Sequence, residues 1–331
     1  MALNAGATRF NTDLSQMEIW DGNQWTGIVA SSPDLHTGST RGVWIGGEPL
    51  TSTISYSNLE STSQNALFGD AAHGGSGVAN CGAIGSRTRG IHAGGEPATS
   101  TMASFTFASL GNAVHDGEDL TSSRRFVTGM AGGDRGIFMG GSEPSRVNKM
   151  EYISISSFGN ALDFGDLTES KDMGGGGGWS NGIIGGGFGG YRSDGNNSSI
   201  VEAVTISTLG NGTTFGDLYE SKHNIASASN ATRAIGGGGS PSTISTIQFI
   251  NINSRGNAKF FGDLTDGTTS MNACSSKQRL VWGGGNIAPA KTNKMEFVQF
   301  STLGNGSDFG DLSQGSVQNP SACSNGHGGV H

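Results

Sequence analysis

The chain has 331 residues, of which 58 are glycine and only 14% are charged, and its formal net charge is −8. Ordinary soluble domains carry roughly 7% glycine and 25% charged residues. The acidic balance, with no basic stripe, excludes a general nucleic-acid binder, and no apolar run of about 18 residues is present to span a membrane.

The first apolar segment, Met17-Glu18-Ile19-Trp20, matches two later ones, Met150-Glu151-Tyr152-Ile153 and Met295-Glu296-Phe297-Val298. Nothing before it carries the basic and apolar regions of a secretory signal, so none is expected. From about residue 29 a unit repeats six times, over 29–76, 77–125, 126–172, 173–223, 224–269 and 270–319. Its end is marked by Phe-Gly-Asp, or by Gly-Glu-Asp in the second unit. The aspartates are Asp70, Asp119, Asp166, Asp217, Asp263 and Asp311, at steps of 49, 47, 51, 46 and 48. Arg41, Arg89, Arg135, Arg233 and Arg279 form a second column, each followed five residues on by Gly-Gly. Asn181, with Gly186-Gly187, fills its gap in the fourth unit. Gly-Asn pairs at Gly111, Gly159, Gly210, Gly256 and Gly304 form a third column. Each unit reads as four short strands. In the third unit these are Met130–Asp134, Gly136–Met139, the alternating Lys149–Ser156, and Ala161–Phe164. Four strands per repeat of about 48 residues predict β-propeller blades.

The end segment 320–331 reads as an opening strand, because Ala322-Cys323-Ser324 resembles Ala228-Ser229-Asn230. With 1–28 it is expected to build a seventh blade, so that 1–331 is one domain, an all-β closed seven-bladed propeller without exposed edges. Cys81, Cys274 and Cys323 lack CxxC spacing and are expected to be free buried thiols.

The Gly-Gly after a short apolar strand resembles the kelch repeat, although no tryptophan recurs downstream of it. The Gly-Asn…Phe-Gly-Asp-Leu pattern also resembles propellers among structural proteins of marine and cyanobacterial tailed phages. The run Gly6-Ala7-Thr8-Arg9-Phe10-Asn11-Thr12-Asp13 … Met17-Glu18-Ile19-Trp20-Asp21-Gly22-Asn23-Gln24-Trp25 resembles a short β module of phage tail and fibre proteins. These resemblances imply a non-enzymatic virion protein made in the host cytoplasm, on a tail or fibre or displayed on the surface. They imply other virion proteins as partners and a host surface glycan as a further one. The alternatives are a capsid decoration protein and an intracellular kelch-type adaptor, with a glycan-active enzyme last.

The same Phe-Gly-Asp in five units cannot be one active site. Its residues read as packing, a backbone bend and a turn cap. The arginines read as partners of those aspartates or of backbone carbonyls. The glycine runs Gly174–Gly178, Gly185–Gly187 and Gly236–Gly239 lack the Gly-Lys-Ser/Thr ending of a phosphate loop. Histidines 36, 73, 92, 115, 223, 327 and 331 are scattered, so neither a metal nor a cofactor is expected. Binding is expected on the face of variable loops, through Arg146, Lys149, Tyr191, Arg192, Asp194, Tyr219, Lys291 and Lys294. The crossings between units add Arg124-Arg125-Phe126, Glu169, Lys171 and Lys222.

Overall fold

The computed structural model describes residues 4–11, 16–27, 40–62, 64–72, 77–174 and 176–330. Thr12-Asp13 of the N-terminal run, Gly175, and histidines 36, 73 and 331 lie outside them. Every regular element among the described residues is a strand. The chain divides into two compact units, Met1–Ser39 and Thr40–His331, where one domain was expected.

In the first unit Thr8–Asn11, Gln16–Trp20 and Trp25–Gly27 pair antiparallel in chain order. Asp21 Oδ1 closes the second turn by accepting the amides of Asn23 and Gln24 at 2.7 and 2.8 Å. Trp20 and Trp25 face each other across the strands at 5.6 Å, with the Arg9 guanidinium over Trp25 at 4.3 Å and on Glu18 at 2.7 Å.

The second unit is propeller-like, built of six four-stranded antiparallel sheets. The second to sixth have innermost strands Gly82–Gly85, Thr128–Gly132, Trp179–Ser180, Ala226–Ser229 and Asn272–Ser275, and each takes its other three strands from the residues that follow. The first consists of Arg41–Ile45, Thr53–Asn58 and Ala66–Asp70, with Ser321–Ser324 as its innermost strand. This corrects the expected seventh blade. Residues 321–324 pair with Arg41–Ile45, while Gln16–Trp20 is the middle strand of its own sheet. The first sheet thereby has its four strands without any described strand of the N-terminal unit. The innermost strands touch in cyclic order, including Ser321–Ser324 against Gly82–Gly85, and surround one cavity.

The core lies between neighbouring sheets. Val43, Ile54 and Phe68 of the first pack on Phe105 and Phe107 of the second, and Trp44 and Leu59 of the first pack on Val281 and Phe309 of the sixth. The outer rim is held by the two glycine columns. Asn112, Asn160, Asn211, Asn257 and Asn305 each accept, through Oδ1, the amide of the column aspartate of the preceding sheet at 2.8–3.0 Å. The turn comes so close that a Cβ on Gly216 would lie 2.2 Å from Gly256 O. The aspartate carboxylates bond within their own sheets, for example Ser199 Oγ to Asp217 at 3.0 Å.

The arginine column meets carbonyls of the next sheet rather than aspartates: Arg89 reaches Ile155 O at 2.8 Å and Arg135 reaches Ile206 O at 2.9 Å. Arg41, Arg135, Arg233 and Arg279 also lie over Tyr56, Tyr152, Phe249 and Phe297 of their own third strands at 4.6–5.0 Å. In the fourth sheet the matching residue is Ile184, which opens Ile184–Phe188, and not Asn181. Its glycine pair is Gly189-Gly190, with φ of 58° and 124°, close to the 63° and 130° of Gly46-Gly47. Gly186-Gly187 lie inside that strand.

Candidate binding face at the loop end of the sheets

One end of the cavity is ringed by the residues that lead into the innermost strands. Asn80, Phe126, Gly174, Asn224, Ser270 and Asn319 all have φ between 51° and 69°, a left-handed conformation that is uncommon outside glycine. Backbone bonds hold several of them: Asn80 N–H donates to Asn319 O at 3.1 Å, Phe126 N–H to Asn80 O at 2.8 Å, and Asn319 N–H to Ser270 O at 2.6 Å.

Beside this ring, side chains join each sheet to the next. Asn80 donates to Glu48 at 2.8 Å, Arg125 meets Glu96 at 2.6 Å, and Arg146 meets Asp172 at 2.6 Å. Tyr191 stacks on His223 at 4.8 Å, Ser240 meets Thr269 at 2.8 Å, and Asn286 donates to Gln318 at 3.3 Å. Of these six links, the ones that involve charged groups at Glu48, Glu96–Arg125 and Arg146–Asp172 lie at the junctions among the first four sheets.

Four of the expected binding residues gather at the third–fourth junction. The Arg146 guanidinium lies over the Tyr191 ring at 4.2 Å. Tyr191–Arg192 pairs as a short strand with Lys171–Asp172. Arg192 reaches Glu169 at 3.2 Å and Asp194 at 2.8 Å, with 39% of its side chain exposed. The Asn196 amide on the Asp194 carboxylate holds its pKa below the usual value, whereas burial pushes Asp172 up despite Arg146. His223 is held below the usual histidine value by burial and then by Arg146, and its Nδ1 meets Asn197 Oδ1 at 2.8 Å.

The other four lie elsewhere. Lys149 meets Ser122 Oγ at 3.1 Å. Lys294 meets Asp266 at 2.7 Å and Glu296 at 3.5 Å; burial opposes its charge, but the two carboxylates outweigh that and raise its pKa. Lys291 belongs to a two-stranded extension, Asn286–Ile287 with Ala290–Lys291. Tyr219 is exposed on the rim, 6.3 Å from Phe260.

Three crossing cations, Arg124, Lys171 and Lys222, are fully buried. They belong to a column absent from the sequence reading. Glu151, Glu202 and Glu296 of the third strands each accept, through Oε1, the amide of a threonine two residues past the column aspartate of the preceding sheet, at 3.0–3.2 Å. Arg124 pairs with Glu151, and Lys171 lies 3.1 Å from Glu202. In the fifth sheet the neutral Gln248 stands in place of the acid and accepts the Tyr219 amide at 2.8 Å. Lys222 turns instead to the half-exposed Glu220 at 3.0 Å, and burial lowers its pKa. The alternation that places Glu151 beside Ile153 and Ile155 was the available sign that this acid is buried.

At the opposite end of the cavity Ser180, Ser229, Ser275 and Ser324 form a staircase. Each of the last three hydroxyls donates to the carbonyl of the serine before it. The second and third sheets have Gly85 and Ala131 near this end, and there the segment after Ser324 crosses. His327 Nε2 meets Gly85 O at 2.7 Å, and Gly329 packs so closely that a Cβ would lie 1.9 Å from Ala131 O. Cys274 and Cys323 line the cavity and Cys81 lies near Ser321; all three are free, and burial raises their pKa values, Cys81 to about 11. No group of three residues suited to holding a metal occurs among the described residues. No helix among them is long and apolar enough to cross a membrane.

No protein-family model matches the chain, and no curated protein matches it.

Proposed function

We propose that Thr40–His331 is a six-bladed propeller closed by Ser321–Ser324, and that the protein is a non-enzymatic virion component mediating attachment to another virion protein or to a host surface glycan. One observation carries the binding reading: Arg146, Tyr191, Arg192 and Asp194, from loops of two sheets, gather on a scaffold of short, mutually bonded strands. Loops held by a rigid frame are where recognition usually sits. The Tyr191 ring is engaged by Arg146 and His223, so the part-exposed Arg192 and Asp194, rather than the ring, are the groups offered to a partner. The virion setting rests on the resemblance of the N-terminal run and the repeat to tailed-phage structural proteins. The separate N-terminal sheet fits an assembly module. A capsid decoration role is the second reading.

The test is a cryo-EM map of the intact particle. The chain should be found in it, with the third–fourth junction contacting a neighbour or facing outward. A chain missing from purified particles removes the virion reading; contacts confined to the opposite face remove only the choice of surface.

A further inference from the structure

The fourth sheet lacks half of an aromatic pair that four other sheets share, and a pocket lies there. In the first, third, fifth and sixth sheets an aromatic residue of the third strand, Tyr56, Tyr152, Phe249 or Phe297, packs edge-on against the phenylalanine of Phe-Gly-Asp. The centroid distances are 5.9–6.1 Å. Each of those rings is covered by the column arginine. In the fourth sheet the aromatic position is Ala203 and the arginine position is Ile184. Trp179 takes part of the vacated space from the inner strand, meeting Phe215 at 5.4 Å. The outer part stays empty, a pocket of about 530 Å³ including its open mouth.

Ile184, Ala203, Val204 and Phe215 form its apolar walls, and Leu209 and Arg255 stand at its rim. Leu209 is 58% exposed, and Ile183, next in sequence to Ile184, is 67% exposed. Arg255 is fixed by donating to Thr214 O at 3.0 Å and Thr213 Oγ1 at 3.2 Å. The pocket opens beside the turns, at the end of the sheet opposite the loop cluster.

We infer that this pocket is a receptor for one aromatic side chain of a protein partner, which enters where four other sheets place their own ring. The internal repeats supply the template: the phenylalanine of Phe-Gly-Asp is kept as Phe215, while the third-strand ring and the arginine over it are both absent and Trp179 replaces them in part. The exposed Leu209 and Ile183 extend the apolar contact to the backbone that would carry the ring. The inference does not depend on the loop-face reading.

The probe is p-cresol, the tyrosine side chain without its backbone, with binding followed by saturation-transfer NMR on the full chain. The wild type should bind it. The double variant Ile184→Arg/Ala203→Tyr restores the common repeat and should weaken binding at least ~10-fold, equivalent to about 1.4 kcal/mol, while keeping a cooperative melt. The reverse pair in the fifth sheet, Arg233→Ile/Phe249→Ala, should create a second p-cresol site; it remains informative if the first variant fails to fold. Absence of wild-type binding, undiminished binding to the folded Ile184→Arg/Ala203→Tyr variant, or no new site in the folded fifth-sheet variant would overturn the inference.

Discussion

Lys222 shows how much one residue of the repeat decides. Its side chain is as buried as those of Arg124 and Lys171, but Gln248 stands where they meet a glutamate. An amide offsets the desolvation of the cation less than a buried carboxylate with a charge-assisted bond does, and leaves Lys222 with the half-exposed Glu220. Gln248→Glu should therefore stabilise the protein by about 1 kcal/mol or more, read from denaturant unfolding near neutral pH. The pH dependence has a definite sign. The unfolded lysine keeps its proton up to about its ordinary value of 10.5, and the folded one releases it sooner. Between those two values the unfolded chain binds more protons, so stability from this group rises with pH across that window. Below the window its cost is constant. The Gln248→Glu variant should flatten that rise; an unchanged slope would mean that Lys222 is not the group responsible.

At the level of the element, the rim clasp joins strand ends to the next sheet's turn by a close approach and by hydrogen bonds. Gly216→Ala drives a methyl into Gly256 O, while Asn257→Ala removes only the bond to the Asp217 amide. The first should cost about 1–3 kcal/mol through overpacking and the second about 1 kcal/mol, both measured as shifts in unfolding free energy. An equal or reversed order would show that the clasp acts through the amide bond rather than through contact distance. The spacing of Phe-Gly-Asp and Gly-Asn made the second to sixth sheets legible to within a few residues, because a repeated turn leaves a repeated spacing. The Gly-rich fourth unit was misaligned, since Gly185–Gly187 and Gly189-Gly190 look alike until their dihedrals separate strand from bend. The partner of Ser321–Ser324 was also misplaced. Ser-Ala-Cys-Ser mirrors Asn-Ala-Cys-Ser at 272–275, which pairs with a strand led by Arg279. That likeness pointed to Arg41–Ile45 rather than to Met17–Trp20. Of the loop residues, sequence variation picked out the third–fourth cluster, but it grouped buried Lys171 and Lys222 with exposed residues. Only the packing of neighbouring sheets distinguishes them.

For the whole molecule, the two units make opposite predictions about truncation. Among the described residues, none of the six sheets uses a strand from Met1–Ser39. Removing those residues should leave the main thermal transition of Thr40–His331 in place, within a few degrees by calorimetry. Removing the residues from Ser321 onward takes the innermost strand from the first sheet, the last step of the serine staircase, and the segment lying against Gly85 and Ala131. That variant should lose its cooperative transition and aggregate through the bared edge of Arg41–Ile45. If the N-terminal deletion is the one that collapses, the division into units is wrong.

The pairing of Arg41–Ile45 with Ser321–Ser324 also sets a timetable for synthesis. The Arg41 amide finds its acceptor on Asn325, 284 residues downstream, so the first of the six sheets to leave the ribosome is the last to be finished. Until then its open edge must wait through the emergence of five other sheets, while each of those can complete itself from contiguous chain. At translation speeds of roughly 5–20 residues per second, that wait lasts tens of seconds. Within that interval the unpaired edge of Arg41–Ile45 is open to pairing with another chain. A circular permutant that makes Ser321–Ser324 and Arg41–Ile45 successive segments would shorten the wait to the time needed for one turn.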